Sequence, residues 1–353
     1  MRTLVISDLH LGSRLERDVL RRPAALEALL HHIERTDRLV LLGDIVEMLE
    51  GRPRAAFEDA RGVLQAIGQA VGPDREIIVV PGNHDHRLVR RWVRAQAGRG
   101  RPVKLASRVP VSSSPVLSSL VRALRPAPVH VHYPGFWLAD GVYAHHGHYV
   151  DRELLLARSA PSSPSIGRPG PKPPYPSRGD QRIEDYERGL GASFAAIQVA
   201  LGSTLPRGVS AAIDRAASVA RTAGMIAAPA LDAALPSPVL APFSAGLLGQ
   251  QFRRSGLPAM ATVAGRLGVD AKTVVFGHLH RAGPLSDDPR GEWTPLRGGP
   301  RLLNTGCWVY EPLLLAGAGP GHPYWPGGAV RVDARGRART VNLLDAVDPA
   351  DLR

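Results

Sequence analysis

The sequence predicts an α/β fold with parallel strands, and three observations lead to that prediction. Apolar, β-branched runs at residues 3–6, 39–42 and 77–80 are typical of short buried strands. Two segments near residues 22–35 and 55–71 have helical patterns and lie between those runs. Each run is followed at once by polar side chains, as expected where a strand ends at the edge of a sheet. Strands that alternate with helices in this way indicate parallel strands covered by helices.

The polar residues of the chain are organised around residues 79–86, Val-Val-Pro-Gly-Asn-His-Asp-His. A Pro-Gly pair ends the third predicted strand in a tight turn, so Asn83, His84 and Asp85 follow at its carboxyl end. Open α/β sheets bind their ligands at that end of the strands. Taken alone, the motif is equally typical of a polar turn with a hydrogen-bonded histidine.

Four similar motifs elsewhere favour a metal site. They are Ser-Asp-Leu-His at residues 7–10, Gly-Asp at 43–44, His-His-Gly-His at 145–148 and Gly-His-Leu-His at 277–280. Asp8 and His10 are two residues apart, so an extended chain points both side chains the same way. Five strand ends with only Asp, Asn and His ligands favour one shared site over five unrelated turns. These oxygen and nitrogen donors suit Mn²⁺, Fe, Zn²⁺ or Mg²⁺ and argue against a thiolate site.

In this order, the five motifs resemble those of the calcineurin-like metallophosphoesterases. The resemblance covers residues 1 to about 150 and about 272 to 345. It implies a four-layer α-β-β-α sandwich, in which two packed sheets are flanked by helices. Asp-Leu-His-Leu-Gly and Gly-Asp-Ile-Val-Glu look like the branch that contains the UDP-2,3-diacylglucosamine diphosphatases. The chain departs from that branch at His84, where those enzymes carry Arg, and in a longer insertion.

The resemblance also implies two divalent metal ions, with Mn²⁺ expected first and Fe, Zn²⁺ or Mg²⁺ as alternatives. By resemblance, one ion takes Asp8, His10, Asp44 and His280, and the other takes Asp44, Asn83, His146 and His278. The resemblance thus implies Asp44 as the shared ligand, a role that a carboxylate fills more readily than a histidine. The implied reaction is hydrolysis of a phosphoester or pyrophosphate bond by in-line attack of a hydroxide held between the two ions.

Residues beside the ligands are candidates for catalysis and for substrate binding. His84 has no assigned metal, so it is predicted to protonate the leaving oxygen, with Asp85 orienting its ring. His148, Arg87 and Arg281 are predicted to contact the substrate, although His145 and His148 could instead be second neighbours of the metals. Four arginines have helical spacing and form either a positive rim beside the site or an ordinary solvated face: Arg87, Arg90, Arg91 and Arg94.

Composition limits the partners and the compartment. The chain of 353 residues carries 44 basic and 32 acidic residues, a net charge of +12, which favours anionic partners such as phosphoesters, nucleic acid or acidic lipid. Its three lysines leave 41 arginines among the 44, a bias that genome composition can also produce. Cys307 is the single cysteine, which excludes an internal disulfide. The first strand begins at residue 3, which predicts no signal peptide and a cytoplasmic protein, with peripheral contact to the inner face of the membrane as an option.

An insertion is predicted at residues 151–271, between the two parts of a metallophosphoesterase domain at 1–150 and 272–353. It begins with a Pro-rich linker at 159–179 and continues as an Ala-rich helical cap at 180–268. The predicted helices of the cap lie near residues 180–201, 209–227 and 255–268. The cap either covers the site and selects a bulky phosphoester, or forms a dimer surface.

Other functions remain open at this stage. The predicted substrate is an anionic phosphoester that is lipid-linked or nucleotide-linked. A metal-dependent nuclease or a cyclic nucleotide phosphodiesterase would use the same ligands, but the sequence shows no aromatic-basic interleaving or nucleic-acid module, so nucleic acid is the lesser alternative. A non-catalytic scaffold is least expected, because it has no chemical need for a full ligand set together with His84.

Overall fold

The computed structural model describes residues 1–49, 52–159, 172–176, 182–187, 249, 252–315 and 317–352. Ten strands occur in these ranges: β1 (Thr3–Ile6), β2 (Arg38–Leu41), β3 (Glu76–Val79), β4 (Ala106–Arg108), β5 (Val129–Ala139), β6 (Val142–His145), β7 (Thr273–Phe276), β8 (Arg301–Asn304), β9 (Gly328–Val332) and β10 (Ala338–Asn342). The helices there are α1 (Pro23–Ile33), α2 (Pro53–Val71), α3 (Arg90–Gly98), α4 (Pro115–Ala123), α5 (Val150–Ser159), α6 (Ile183–Glu187), α7 (Leu257–Arg266) and α8 (Pro312–Leu315). None of the helices in these ranges is long and apolar enough to cross a membrane.

The predicted alternation of strands and helices in the first third of the chain is confirmed. β1, β2 and β3 are parallel to one another, with Ile6, Leu41 and Val79 in register at their carboxyl ends. Both intervening helices begin with proline, whose fixed φ suits the first helical turn and whose missing N–H is not needed there. α2 ends at Gly72, which takes φ 71° as the helix C-cap.

The strands form one hydrogen-bonded path in the order β10-β9-β1-β2-β3-β5-β6-β7-β8, and β4 pairs with β5. The inner strands β1, β2, β3 and β5 are parallel, and β6, β7 and β8 are also parallel. β5 pairs antiparallel with β6, so the eleven-residue β5 belongs to both halves of the path. The mixed α/β fold is therefore confirmed. The two halves of the strand path form the two predicted sheets, and β5 joins them by pairing with β3 on one side and β6 on the other.

Side chains from the two halves of the path pack against each other. Val5, Val40 and Ile78 of one half share a buried cluster with Val275 and Leu303 of the other half. A second cluster contains the apolar faces of the helices. It also contains the strand residues that alternate with those of the first cluster: Leu4, Ile6, Leu39, Leu41, Ile77 and Val79. Because successive residues of a strand point to opposite faces, this division indicates sheet against sheet inside and helices outside.

Part of the predicted insertion belongs to the main core. α7 confirms the helix predicted near 255–268, and Leu257, Met260 and Val263 are fully buried against the helical side of the sheet. α5 and α7 also contact each other, although both lie within the predicted insertion boundaries. Of the predicted linker, residues 172–176 are described, and Tyr175 donates its backbone N–H to Arg297. The helix predicted at 209–227 and most of that predicted at 180–201 lie outside the described residues.

Candidate metal centre

The loops that follow the strands hold their polar residues in an uncommon backbone conformation. Positive φ angles of 44–66° occur at Asp8, His10, Asp44, His278 and His280. In the described part of the chain, Glu16 is the one other non-glycine residue with positive φ. Residues with a Cβ rarely adopt positive φ angles, because this backbone conformation is strained. It is found where surrounding contacts hold the backbone in place. The strain is thus concentrated in the loops that the sequence identified as ligand motifs.

Two glycines of these motifs are required by close approach. A Cβ at Gly82 would collide with the Asp44 carboxylate and the His146 ring. At Gly277 a Cβ would collide with the carboxylate of Asp8. The glycines that precede Asn83 and His278 therefore make room for neighbouring ligand side chains.

One group of candidate ligand atoms consists of Asp8, His10 and His280, whose ligand atoms lie within 4.8 Å of one another. His280 Nε2 is 3.3 Å from Asp8 Oδ1 and 3.2 Å from His10 Nε2. His10 Nδ1 lies 2.9 Å from Glu47 Oε2 and donates to it, so that His10 Nε2 can act as a ligand. Histidine ligands commonly have their second nitrogen oriented by a carboxylate in this way.

A second group consists of Asp44, His146 and His278, again with ligand atoms within 4.8 Å. His146 Nε2 lies 3.2 Å from Asp44 Oδ2 and 3.2 Å from Asn83 Oδ1. His146 Nδ1 donates to the carbonyl of Leu42 at 2.8 Å, which leaves Nε2 directed at the oxygens. The ring of His278 is held at its Nε2 by Asp151 Oδ1, at 2.8 Å.

Asp44 lies between the two groups. Its Oδ2 is 3.8 Å from His10 Nε2 and 3.2 Å from His146 Nε2, and the residue is only 1 % exposed. Its Oδ1 accepts the backbone N–H of His84 at 2.9 Å. One buried carboxylate is therefore within reach of both groups, as the resemblance implied.

The charges of the centre fit divalent cations. Burial raises the pKa of Asp44, but the nearby rings of His146, His84 and His10 outweigh it and hold that pKa well below its usual value. Burial lowers the pKa of His146, but Asp44 and Asp8 outweigh it and raise that pKa to about 10. The buried carboxylates therefore favour positive charge at the centre, which a divalent ion bound to neutral imidazoles would supply.

The ring of His84 lies beside both groups and is positioned by Glu47. His84 Nδ1 is 2.6 Å from Glu47 Oε2, and the ring centroid is 4.7 Å from that of His10. Burial lowers the pKa of His84, but Asp44 and Glu47 outweigh it and raise that pKa to about 9. His84 also forms a third group of possible ligand atoms with His10 and Asp44. The ring therefore lies beside the candidate ligands His10 and Asp44, in surroundings that favour its protonated form.

Sequence reasoning gave no role to two acidic residues at the centre. Glu47 contacts both His10 and His84 through one oxygen, and Asp151 contacts His278. Burial raises the pKa of Glu47, but the two imidazoles outweigh it and hold that pKa below its usual range. The available signal was a carboxylate in the apolar Ile45-Val46 context, three residues after Asp44. Asp151 similarly follows the His-Gly-His motif by three residues.

Asp85, predicted to orient the His84 ring, contacts backbone groups of two neighbouring loops. Its Oδ2 accepts the N–H of Ile45 at 2.8 Å, and its Oδ1 accepts the N–H of Gly82 at 2.6 Å. Asp85 thus ties the loop after β3 to the loop after β2. The carboxylate that contacts the His84 ring is Glu47, so Asp85 supports the ligand loops rather than the ring.

Two predicted substrate contacts, Arg281 and His148, are buried. Arg281 is 2 % exposed and forms a two-fold ion pair with Asp288, at 2.6 and 3.0 Å, between the rings of Phe252 and Trp293. Its guanidinium is therefore engaged by a carboxylate of the same chain. His148 is 1 % exposed and lies beneath Tyr133, whose hydroxyl is 3.3 Å from His148 Nε2. Both residues act inside the protein in this structure.

A cavity of about 1620 Å³ opens beside Asn83 and His86. Arg87, Arg90 and Arg94 of the predicted arginine stripe line it, whereas Arg91 does not. A 3-10 turn at His86–Leu88 precedes α3, so the stripe is not one continuous helical face. The prediction of Arg87 as a substrate contact is compatible with this position.

The wall of the cavity includes α6, which is tied to the centre by Glu187. His86 Nε2 lies 2.9 Å from Glu187 Oε2, and the hydroxyls of Tyr133 and Tyr149 both donate to Glu187 Oε1. The Tyr149 ring stacks on that of Tyr186, with centroids 4.7 Å apart. The residues just before 188 are therefore fastened to the loops that carry the candidate ligands.

Three comparisons relate the chain to known proteins. The sequence profile of the calcineurin-like phosphoesterase family matches residues 1–182, more than half of the 353 residues. Among solved structures, the chain is similar to YfcE, a phosphoesterase from E. coli. The identity is 14 %, the TM-score is 0.32, and the match covers 97 % of this chain and 100 % of that one. The likeness to YfcE is too low to carry an argument. A comparison with curated proteins found no match.

Proposed function

We propose that this chain, which belongs to the calcineurin-like phosphoesterase family, hydrolyses a phosphoester or pyrophosphate bond at two divalent metal ions. The family implies a metal-dependent hydrolase of phosphoesters. The observation that carries the two-ion proposal is the position of Asp44, whose carboxylate lies within reach of both groups of candidate ligands. Its burial and the strained backbone around it favour a functional role over an incidental contact.

The proposed ligands divide into two sets that share Asp44. One set is Asp8, His10, Asp44 and His280, and the other is Asp44, Asn83, His146 and His278. The donor set is free of thiolate and fits Mn²⁺, Fe, Zn²⁺ or Mg²⁺, with Mn²⁺ as the first ion to test. When bound, such a pair lowers the pKa of a water and neutralises charge that develops on the phosphoryl oxygens.

His84 is proposed as the general acid. Glu47 fixes Nδ1 of its ring, so Nε2 carries the proton that can be given to the leaving oxygen as the bond from phosphorus to that oxygen breaks. The carboxylates of Asp44 and Glu47 raise the pKa of the ring, which favours the protonated form that this role requires. Asp85 holds the loop that presents His84, through the N–H of Gly82.

The substrate is proposed to be an anionic, lipid-linked or nucleotide-linked phosphoester. The cavity beside Asn83 supports a substrate larger than inorganic phosphate or a small alkyl phosphate. Kinship to the UDP-2,3-diacylglucosamine diphosphatases is a proposal supported by the Gly-Asp-Ile-Val-Glu motif that contains Glu47. Nuclease and cyclic nucleotide phosphodiesterase activity stay predictions, as do the cytoplasmic location and the contact with a membrane.

The proposal is tested by removing the charge of the shared ligand. Asp44→Asn is expected to reduce bound metal from close to two ions per chain to less than one and to abolish hydrolysis of bis-p-nitrophenyl phosphate. Elemental analysis and p-nitrophenolate release measure the two effects. Asp59→Asn, an exposed carboxylate on α2, is the matched control. Full metal content and full activity in the Asp44 variant would contradict the proposal.

A further inference from the structure

We infer that the cavity beside Asn83 binds a second anionic group of the substrate, so that the substrate carries two separate negative groups. This inference rests on the proposed function, because the first group is the phosphoester at the metal centre. It adds what that function leaves open, namely the chemical character of the substrate away from the reacting bond.

The cationic side chains of the cavity are unpaired. Six of them line it: Arg87, Arg90, Arg94, Arg101, Lys104 and Arg182. All six are exposed, and within the part of the chain that the structure describes none has a side-chain hydrogen bond, ion pair or ring contact. Cations gathered around a concave surface without partners raise the local positive potential and attract anions.

The acidic side chains of the same cavity, in contrast, have internal partners. Asp151 accepts from His278, and Glu187 accepts from His86, Tyr133 and Tyr149. Glu184 accepts the N–H of Val103 at 3.0 Å, and Asp185 accepts the N–H of Arg182 at 2.9 Å. Among the described residues, six cations without side-chain partners and four hydrogen-bonded carboxylates line the cavity, so its net charge is positive and favours an anion.

The arrangement of the cations relative to the centre indicates one elongated substrate. Asn83, a proposed metal ligand, lines the same cavity as Arg90 and Arg94, which lie one turn apart on α3. Apolar side chains also contribute to the lining: Val93, Ala97, Leu105, Ile183 and Leu267. The volume of about 1620 Å³ exceeds that of common small-molecule sites. The cavity therefore has room for a bulky uncharged part of the substrate between its two anionic groups.

A pair of chromogenic esters that differ in one phosphate tests this inference. Thymidine 5′-(p-nitrophenyl phosphate) has one anionic group, and its 3′-phosphate derivative has two. The metal-loaded protein is expected to show a KM about tenfold lower for the second ester at low salt, the scale of several solvent-exposed ion pairs. High salt should remove most of the difference, because exposed charges are screened.

Two matched double variants assign the effect to the cavity. Arg90→Ala/Arg94→Ala is expected to raise the KM of the 3′-phosphate ester about tenfold and that of the simple ester much less. Arg91→Ala/Arg99→Ala removes the same charge from α3 and its end but changes no cavity side chain, so the preference should survive. Equal KM values for the two esters in the unaltered protein, or an equal loss in both double variants, would overturn the inference.

A binding measurement keeps this inference separate from the proposed function. Calorimetry with thymidine 3′,5′-bisphosphate and thymidine 5′-monophosphate should show tighter binding of the bisphosphate, lost in Arg90→Ala/Arg94→Ala. If neither ester is hydrolysed but this difference is found, the proposed function fails and the anion site stands. If both esters are hydrolysed and the two nucleotides bind equally, the function stands and the inference fails.

The second anion could come from a compact nucleotide or from an amphiphile, and competition separates these sources. Thymidine 3′,5′-bisphosphate and dihexanoyl phosphatidic acid are added as inhibitors of the 3′-phosphate ester. Stronger inhibition by the nucleotide indicates a polar substrate, and stronger inhibition by the lipid indicates use of the apolar lining. Inhibition by neither compound at concentrations where the ester binds would overturn the inference.

Discussion

The candidate metal centre and the basic cavity meet at Asn83, yet they hold their charges in opposite ways. In the centre, Asp8, Asp44 and Glu47 are buried, and each has imidazole or hydroxyl partners. Around the cavity the cations are exposed and unpaired within the described residues. Both regions include residues of the loop that follows β3. Neighbouring residues of one loop are therefore found in two different charge environments.

From this difference we expect the centre to carry out catalysis and the cavity to select the substrate. Buried charges at fixed positions cost little reorganisation when the reaction occurs, which is the requirement for catalysis. Exposed side chains on a helix can adapt to different anions, but each of their ion pairs contributes little. We therefore expect changes in the centre to act on turnover and on folding, and changes in the cavity to act on KM.

Among variants that keep both ions, the largest effect is expected for the proposed general acid. His84→Ala should retain metal but lose a factor on the order of 10² to 10⁴ in kcat, the usual scale of general acid catalysis. The loss should be smaller for p-nitrophenyl esters, whose leaving group needs little protonation, than for alkyl esters. Steady-state kinetics with both kinds of ester measure this, and His31→Ala, exposed on α1, is the control. An equal loss with both leaving groups would exclude His84 as the acid.

The second prediction compares the contribution to stability of a buried arginine, Arg281, with that of an exposed arginine of the cavity. Arg281→Ala leaves Asp288 without its cationic partner, with only the N–H of Leu285 among its described contacts, and should lower the free energy of unfolding by about 3–5 kcal/mol. Arg90→Ala, at an exposed and unpaired site, should change it by about 0.5 kcal/mol or less. Urea denaturation measures both, with Arg290→Ala as the exposed control near Arg281. Similar stability losses for Arg281 and Arg90 would contradict the division into buried and exposed charges.

Glu47 tests whether the centre depends on its supporting carboxylate. Glu47→Gln should weaken metal binding or activity by about 10- to 100-fold, because His10 and His84 both lose the charged partner that orients them. Activity is measured as a function of Mn²⁺ concentration, with Glu27→Gln on the exposed side of α1 as control. An unchanged metal dependence would mean that backbone contacts alone position the two rings.

The smallest effect concerns Cys307. Burial raises the pKa of its thiol to about 12, and Asp8 and Glu311 add to that shift. Since the thiolate is the reactive form, the native protein should resist iodoacetamide at mildly alkaline pH, and the unfolded protein should take up one adduct. Mass spectrometry measures the difference. Rapid labelling of the native protein would show that the loop after β8 opens readily.

Local sequence patterns were sufficient to predict the ligand loops and the strands before them. The runs at 3–6, 39–42 and 77–80 are apolar because both faces of the parallel strands are buried, and polar ligands can follow only where the strands end. Parallel pairing then brings those ends to one edge of the sheet. Asp8, Asp44 and Asn83 could therefore be brought together from the sequence without knowledge of any contact.

Only the tertiary structure decided which side chains contact the candidate ligands and which line the cavity. Glu47 contacts His84, Asp151 contacts His278 and Glu187 contacts His86, at separations of 37, 127 and 101 residues along the chain. Arg281 and Arg87 are both arginines beside ligand motifs, yet one is buried against Asp288 and the other lines a cavity. The sequence pattern around a charged residue does not indicate its partner, because the partner is set by the packing of distant segments.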